Sequence, residues 1–156
     1  MLEIADVGRL RDQIGVEIAV SDWLVVTQER INRFADATDD HQWIHVDPKR
    51  AAVESPFKTT IAHGFLTLSL ISALMRNAIR FGGTRMAINY GLNRVRFASP
   101  VPAGTAVRAR FSPLAVDDTR GSVQVTWTVT IERENGDKPC CVAEWLVRYY
   151  PEDSRA

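Results

Sequence analysis

The sequence has few of the residues and segments that mark several large classes of protein. It contains only two cysteines, Cys140 and Cys141, among 156 residues. Side chains of neighbouring residues on a strand point to opposite faces, so we expect two free thiols in a reducing compartment and no structural disulfide. No apolar run reaches the roughly 20 residues of a membrane span, and residues 1–11 lack the apolar part of a secretory signal. We therefore expect a cytoplasmic protein with no membrane partner.

An excess of charge of one sign is also missing. The chain has 19 Lys+Arg and 19 Asp+Glu, which gives a formal net charge of +0. Proteins that bind nucleic acid by neutralising phosphates usually carry a basic domain charge, so we expect no nucleic-acid partner. With 46% hydrophobic and 24% charged residues, the length and composition indicate a single globular domain over residues 1–156, with a core over about 14–150.

The first half of the sequence has helical patterns on either side of a polar segment. Thr27 can cap the first helix, and apolar side chains follow at the i, i+3, i+4 spacing of a buried stripe. The stripe consists of Ile31, Phe34 and Ala35. Asp47-Pro48 predicts the cap and the first residue of a second, short helix through Ala52. The polar segment between the two helices covers residues 38–45.

A third helix and four strands complete the predicted fold. Apolar residues occupy nearly all faces of the sequence from about Gly64 to Ile79, so we expect a long helix enclosed by other structure. Period-two alternation predicts strands over residues 87–99, 105–112, 121–133 and 140–150. Asn135-Gly136 suits a tight turn between the last two strands. This order predicts an α+β fold in which an antiparallel β-sheet wraps around a long central α-helix.

The polar segment is the first candidate for chemistry. Residues 39–48 read DDHQWIHVDP and include His41 and His45, two of the three histidines. A carboxylate can hold a water molecule or an imidazole while histidine exchanges the proton near neutral pH. A solvated loop whose Asp and His cap the next helix would show the same composition. The two histidines together with Asp40 or His63 match no known zinc spacing, so we predict no metal site.

His63 and Gly64 form the second candidate, at the predicted start of the long helix. Backbone N–H groups at a helix start are unpaired and carry the positive end of the helix dipole, so they can stabilise a developing oxyanion. Glycine also permits the close approach of a ligand. The alternative is a structural role, in which Gly64 makes a tight entry into a packed helix and His63 is a histidine with its hydrogen bonds satisfied.

Three motifs follow one another along the chain. They are Asp40-x4-His45-x-Asp47-Pro48, Ile61-Ala62-His63-Gly64 and Arg94-Val95-Arg96-Phe97-Ala98-Ser99-Pro100-Val101. Together they resemble the motifs of the MaoC-like (R)-specific enoyl-CoA hydratases. The segment DHQWIHVDP resembles the corresponding sequence of the subgroup related to nodulation protein N. The resemblance covers about residues 14–150. It implies a hot dog fold, assembled as a homodimer or a dimer of dimers with active sites at the subunit interface.

The resemblance also implies a role for each matching residue. Asp40 and His45 form a catalytic dyad that orients and activates water, and the backbone N–H of Gly64 donates to the thioester carbonyl. His63 and Ser72 belong to the substrate site, Ser72 as a helix serine of some members. Water adds to C3 of a trans-2-enoyl-CoA to give the (3R)-3-hydroxyacyl-CoA, or is lost in the reverse reaction. No metal is implied, and no cofactor besides the coenzyme A of the substrate.

The sequence departs from the common family pattern Gly-Asp-x-Asn-Pro-x-His. Asp39 replaces the glycine, where it either disfavours full ionisation of both Asp39 and Asp40 or points to solvent. Gln42 and Trp43 replace Asn-Pro. We expect both at the substrate site, Gln42 by keeping the hydrogen bonds of the amide and Trp43 by altering the acyl pocket or the fit with a partner subunit. Two alternatives stay open, a hot dog acyl-CoA thioesterase and a non-catalytic subunit that binds acyl thioesters.

Arginines are the last feature with a chemical interpretation. Arg94 and Arg96 share one face of the predicted strand 87–99, and Arg108 and Arg110 repeat the pattern on the next predicted strand. Guanidinium groups suit phosphates, of which coenzyme A carries several. We expect Arg94 and Arg96 to contact this carrier; the alternative is a face that is merely solvated.

Overall fold

The computed structural model describes residues 1–152, which form an antiparallel sheet packed against helices. The helices are α1 (Gln28–Thr38), α2 (Trp43–Val46), α3 (Pro48–Glu54), α4 (Gly64–Ser69) and α5 (Ile71–Ala78), with a 3-10 helix at Val7–Gln13. The strands are β1 (Leu2–Ile4), β2 (Ala19–Val20), β3 (Leu24–Val26), β4 (Ile79–Phe81), β5 (Thr84–Arg96), β6 (Thr105–Thr119), β7 (Ser122–Arg133) and β8 (Cys141–Pro151). In this part of the chain no helix is long and apolar enough to cross a membrane.

The main sheet has the strand order β2-β6-β7-β8-β5, with β3 also paired to β6. All its pairings are antiparallel. β1 and β4 form a separate parallel pair that joins the N-terminus to the chain just after α5. β5 therefore lies at one end of the main sheet, while β2 and β3 cover the other end.

The hydrophobic core lies between α4, α5 and the inner face of the sheet. On β7, Trp127, Val129 and Ile131 are each 0% exposed, as the period-two pattern predicts. Full burial of such a side chain stabilises the fold by roughly 1.5–3 kcal/mol. Trp127 Nε1 donates to the Tyr149 hydroxyl at 3.1 Å, so the indole N–H keeps a partner, and burial raises the pKa of Tyr149.

The first two predicted helices are confirmed. Thr27 Oγ1 accepts from the Arg30 N–H at 3.2 Å at the start of α1. Asp47 Oδ1 accepts from the Arg50 N–H at 3.0 Å at the start of α3, which continues to Glu54. The polar segment between them was not predicted to be helical, yet it contains the single turn α2.

The central helix differs from its prediction in two ways. It is divided into α4 and α5 at Leu70, although Leu70 keeps right-handed helical dihedral angles (φ −69°, ψ −16°). The bonds from the Leu70 N–H to the Leu66 carbonyl oxygen at 3.1 Å and from the Leu74 N–H to the Leu70 carbonyl oxygen at 2.9 Å continue through this point. Ser69 Oγ donates to the Phe65 carbonyl oxygen at 2.7 Å, a bond of the kind that bends helices. The predicted enclosure on nearly all faces is also wrong, because Phe65 is 68% exposed and α4 leaves one face open within a single chain.

The strands match their predictions where the alternation is regular. β7 and β8 lie within one residue of the predicted bounds, whereas β5 starts and ends three residues earlier than predicted. β6 continues beyond Ser112 to Thr119, since a bulge between Pro113 and Ala115 keeps this long strand paired to β7. A proline normally ends a strand or sits at a bulge, and here it does the latter.

Candidate active site

The candidate site is built on the segment that joins α1 to α4. The C-cap of α1 is Asp39, which has the left-handed φ of 57°. Asp40 follows with an exposed side chain, and α2 then carries His45 into the interior, where it is 8% exposed. The turn thus joins an exposed carboxylate to a buried imidazole.

His45 is held through its Nδ1 atom, which lies 2.7 Å from the Ile61 carbonyl oxygen. A carbonyl oxygen can only accept, so Nδ1 carries the proton and Nε2 of the neutral ring carries a lone pair. Burial lowers the pKa of His45 from the usual 6.5, and so does the neighbouring His63; the Ile61 bond and the Asp40 carboxylate raise it. The ring is therefore neutral at pH 7, with Nε2 able to accept a proton.

His63 packs face to face against His45, with ring centroids 3.8 Å apart and an interplanar angle of 27°. Its Nε2 donates to the Asp40 carbonyl oxygen at 2.9 Å and lies 4.0 Å from the Asp40 carboxylate. Its buried Nδ1 has no hydrogen-bond partner within residues 1–152. The alternative that His63 is a structural histidine with its hydrogen bonds satisfied therefore holds for Nε2 but is wrong for Nδ1. His63 brings both members of the predicted dyad together.

A cavity of about 330 Å³ opens beside His45 and Gly64. The Gly64 N–H is the first of α4, and the His63 side chain makes no capping hydrogen bond to this helix. A Cβ atom at Gly64 would lie 2.8 Å from the Phe97 ring, so a larger residue there would require this half-exposed ring to move. The cavity thus combines an imidazole that accepts protons with a backbone N–H at a helix start.

Asp40, His45 and His63 are also the described residues that could hold a metal ion by distance, since their ligand atoms lie within 4.8 Å of one another. The stacking of the two histidine rings works against this use. One ring nitrogen of each histidine already donates to a carbonyl oxygen. The remaining lone pairs lie in two ring planes that stack face to face, whereas a shared metal ion needs both lone pairs to converge on it.

Gln42 and Trp43 lie away from this cavity within one chain. Gln42 is exposed and stands at the N-terminal end of α2, without a side-chain capping bond. Trp43 packs against Arg50, whose guanidinium carbon lies 4.5 Å from the ring centroid. Neither residue is part of the described cavity wall beside His45. A contact of Trp43 with a partner subunit stays a prediction.

Ser72 lines a different cavity of about 350 Å³, which lies between α5 and the strands β5 and β8. Its Oγ accepts from Asn89 Nδ2 at 3.4 Å. Met75 and Trp145 form apolar parts of the same wall. The structure of one chain therefore does not bring Ser72 to the cavity beside His45.

The arginines divide between two parts of the sheet. Arg94 and Arg96 are exposed, and Val95 between them packs against the core, which places both arginines on the outer face of β5. On β6, Arg108 Nε donates to Glu132 at 2.6 Å. β5 and β6 are not neighbours in the sheet. Arg94 and Arg96 on β5 and Arg108 and Arg110 on β6 therefore do not form one continuous cationic patch.

Sequence reasoning missed part of the cavity wall. Phe57 lines it without belonging to any recognisable pattern. Cys140, interpreted only as a small hydrophobic residue, also lines it, with Sγ 3.7 Å from Ser99 Oγ. Burial raises the pKa of the Cys140 thiol, and both cysteines are free, as predicted. Ser99 and Phe97 lie in the third motif, which was the available signal for this side of the site.

Known proteins are similar to this chain in sequence and in fold. The chain matches the family model described as MaoC like domain over residues 10–135. It is 52% identical over 150 residues to 3-hydroxyacyl-thioester dehydratase Z of Mycobacterium tuberculosis, with 96% of this chain and 99% of that protein covered. It is 48% identical over 157 residues to Nodulation protein N of Rhizobium leguminosarum bv. viciae, with 97% and 95% covered. The unliganded structure of R-hydratase PhaJ1 from Pseudomonas aeruginosa has a TM-score of 0.68 at 24% sequence identity, with 89% of this chain and 84% of that chain covered. The predicted hot dog fold is confirmed.

Proposed function

The chain belongs to the MaoC-like domain family, and we propose that it catalyses the (R)-specific addition of water to a trans-2-enoyl thioester and the reverse dehydration. The relative that is 52% identical over 150 residues carries the name of a 3-hydroxyacyl-thioester dehydratase, which supports this reaction. The observation that carries the proposal is the bond of 2.7 Å between His45 Nδ1 and the Ile61 carbonyl oxygen. It leaves Nε2 of a neutral imidazole as a proton acceptor at the cavity.

In the proposed hydration, a water molecule is held between the Asp40 carboxylate and Nε2 of His45. Nε2 takes one proton while the water oxygen bonds to C3, and the C2=C3 electron pair shifts toward the thioester oxygen. The resulting enolate takes a proton at C2 from the imidazolium, which returns His45 to its neutral form. One water molecule has then been added, and dehydration follows the same steps in reverse.

We propose that the Gly64 N–H stabilises the charge on the thioester oxygen. The N–H stands at the start of α4 and borders the same cavity as His45. A donor aimed at the position where charge develops contributes more in a water-poor site than in bulk water. Phe97 lines the same cavity, and its ring occupies the space that a side chain at Gly64 would need.

The carrier and the cofactor requirement belong to the same proposal. We propose a coenzyme A thioester as substrate and no further cofactor. Arg94 and Arg96 are exposed on the outer face of β5 and do not line the described cavity wall, so they would contact carrier phosphates and not the acyl group. A cytoplasmic location is also proposed, and two buried free cysteines fit a reducing compartment.

We propose that two copies assemble through β5, which ends the main sheet. Four large apolar side chains of this strand are 42% to 55% exposed, namely Met86, Ile88, Tyr90 and Leu92. An open edge strand with apolar side chains is a template for pairing with another chain. Ser72 lies beside Asn89 of the same strand, so it would serve the site in the assembled dimer. A single-chain mass by light scattering would contradict this assembly.

The reaction is tested with crotonyl-CoA and a series of longer trans-2-enoyl-CoA substrates. Loss of enoyl absorbance with formation of the (3R)-3-hydroxyacyl product is expected, and Asp40→Asn should lower kcat by about 10²-fold or more. Release of free thiol without hydration would instead indicate a thioesterase. Tight binding with no turnover at any chain length would indicate a non-catalytic subunit. Activity of Asp40→Asn equal to wild type would remove Asp40 from the mechanism.

A further inference from the structure

Gln28 connects α1 to the segment that carries the candidate dyad. It is the first residue of α1 and is partly buried. Its Nε2 donates to the main-chain oxygen of His45 at 2.7 Å, across 17 positions of the sequence. No sequence pattern marks this residue, because the apolar stripe of α1 does not include it.

The other end of the same amide reaches the loop before α4. Gln28 Oε1 accepts a hydrogen bond from the hydroxyl of Thr60, a residue that is 1% exposed. The amide cannot be turned over, because its oxygen would then face the His45 carbonyl oxygen, and two acceptors cannot share a hydrogen bond. The position of each amide atom is therefore fixed by its partner.

Thr60 immediately precedes the residue that orients the catalytic imidazole. The Ile61 carbonyl oxygen accepts from His45 Nδ1 at 2.7 Å, and the Ile61 N–H donates to the Ile44 carbonyl oxygen at 3.1 Å. The Gln28 amide spans the same two segments from the side of α1. It thus completes a ring of hydrogen bonds that runs from the His45 backbone through Gln28 and Thr60 to Ile61 and back to the His45 side chain.

We propose that Gln28 is a positioning residue of the active site, which holds the His45 backbone and Thr60 in register so that the imidazole keeps its bond to Ile61. This inference rests on the proposed hydration, in which Nε2 of His45 accepts a proton from water. Gln28 does not line the described cavity wall, so it acts through His45 and not on the substrate. The Ile61–Ile44 bond remains when the amide is removed, so the segment would loosen without unfolding.

The test compares Gln28→Leu with the wild-type enzyme on crotonyl-CoA. This change, at similar volume, removes the two bonds described above and a third from Gln28 Nε2 to Asn32 Oδ1 at 2.8 Å within α1. We expect kcat to fall by about tenfold to 10²-fold, since a displacement of about 1 Å at a catalytic group has effects of this size. KM should stay within about twofold, because substrate contacts are untouched. Gln13→Leu, the same change at an exposed residue of the N-terminal 3-10 helix that does not line the described cavity, is the matched control and should behave as wild type.

Two further measurements separate positioning from a general loss of structure. The ring nitrogen NMR signals of His45 should show protonated Nδ1 in wild type and a mixture of tautomers in Gln28→Leu. In Gln28→Glu, a carboxylate replaces the amide near the imidazole and favours its charged form. The acid limb of kcat/KM should therefore move to higher pH in that variant.

Thr60 supplies an independent pair of variants should Gln28→Leu fail to fold. Thr60→Ser keeps the hydroxyl and is expected to retain wild-type kcat, whereas Thr60→Val removes it and should lower kcat like Gln28→Leu. Wild-type kcat, pH profile and His45 ring signals in Gln28→Leu or Thr60→Val would overturn the assignment. An inactive wild-type enzyme would instead contradict the proposed function, so the two failures are distinguishable.

Discussion

The strands β6, β7 and β8 and the site segment, residues 39–64, are held together by different kinds of interaction. The three strands form long antiparallel ladders, and their inner face buries side chains such as Phe111, Trp127 and Val129 at 0% exposure. In the site segment, single side chains bond to distant backbone atoms, as His45 does to Ile61 and His63 to Asp40. The helices there are short, and Asp39 and Asp40 are exposed.

This difference separates stability from chemistry. Many equivalent contacts hold the strands, and their buried area makes them the main source of unfolding free energy. The site segment has few such contacts, and its hydrogen bonds instead hold one neutral imidazole beside a cavity. We therefore expect substitutions in the site segment to reduce turnover with little loss of stability, and substitutions on the inner face of the strands to do the reverse.

The largest effect is expected from His45→Gln, which removes the proton acceptor. Loss of a general base typically lowers kcat by about 10²- to 10⁴-fold. The unfolding midpoint should change little, because glutamine can still donate to the Ile61 carbonyl oxygen. Turnover of crotonyl-CoA measures the effect on catalysis, and thermal unfolding measures the effect on stability. His41→Gln is the matched control at an exposed histidine, and a similar loss there would contradict the assignment of His45.

Trp127→Ala tests the opposite half of the comparison. The buried indole is 0% exposed and its Nε1 donates to the Tyr149 hydroxyl at 3.1 Å. Its removal should lower the unfolding free energy by about 3–5 kcal/mol, while kcat of the folded enzyme changes little. Urea unfolding at fixed protein concentration measures the loss. Trp23→Ala, at a tryptophan that is 44% exposed, should cost less than about 1 kcal/mol.

The pH dependence should show the burial of His45 in both activity and stability. Burial lowers the pKa of His45 from 6.5, so the acid limb of kcat/KM is expected below pH 6.5. As pH falls below 6.5, the unfolded chain binds a proton at this histidine before the folded chain does. The unfolding free energy therefore decreases from there down to the lowered pKa. His45→Gln should remove this part of the slope, and an acid limb above pH 6.5 would contradict the assigned burial.

The two regions also differ in how far the sequence predicts them. β7 and β8 were predicted to within one residue, because every second side chain is apolar and a regular alternation has only one way to face a core. The division of the central helix at Leu70 was not predicted, since the apolar pattern continues through it and the bond from the Ser69 hydroxyl to the Phe65 carbonyl oxygen has no sequence signature. β1 to β4 were missed because strands of two or three residues leave too short a pattern.

In the site segment, the motif predicted which residues come together but not how. The side chains of Asp40, His45 and His63 lie within 4.8 Å of one another, and His45 and Gly64 line the same cavity, which Asp40 and His63 do not. The partners of the two histidines are backbone oxygens, which carry no sequence signature. Gln28 was missed for a related reason, because its contacts span 17 and 32 positions. Residue types suggest a chemistry, whereas tautomer and orientation depend on contacts that form only in the fold.

The smallest effect is expected at Asp39, where α1 ends and the site segment begins. Its φ of 57° is left-handed, a conformation that glycine adopts freely, and the family pattern has glycine there. The carboxylate also lies at the negative end of the α1 dipole. Glycine loses more entropy on folding, which offsets part of both gains, so Asp39→Gly should stabilise the protein by about 0.5 kcal/mol. Asp39→Asn removes only the charge, so its midpoint in thermal unfolding separates the two causes. If Asp39→Gly instead destabilises the protein, the aspartate side chain itself stabilises the end of α1. An exposed residue of the site segment would then contribute to stability, contrary to the division between the strands and the site segment argued above.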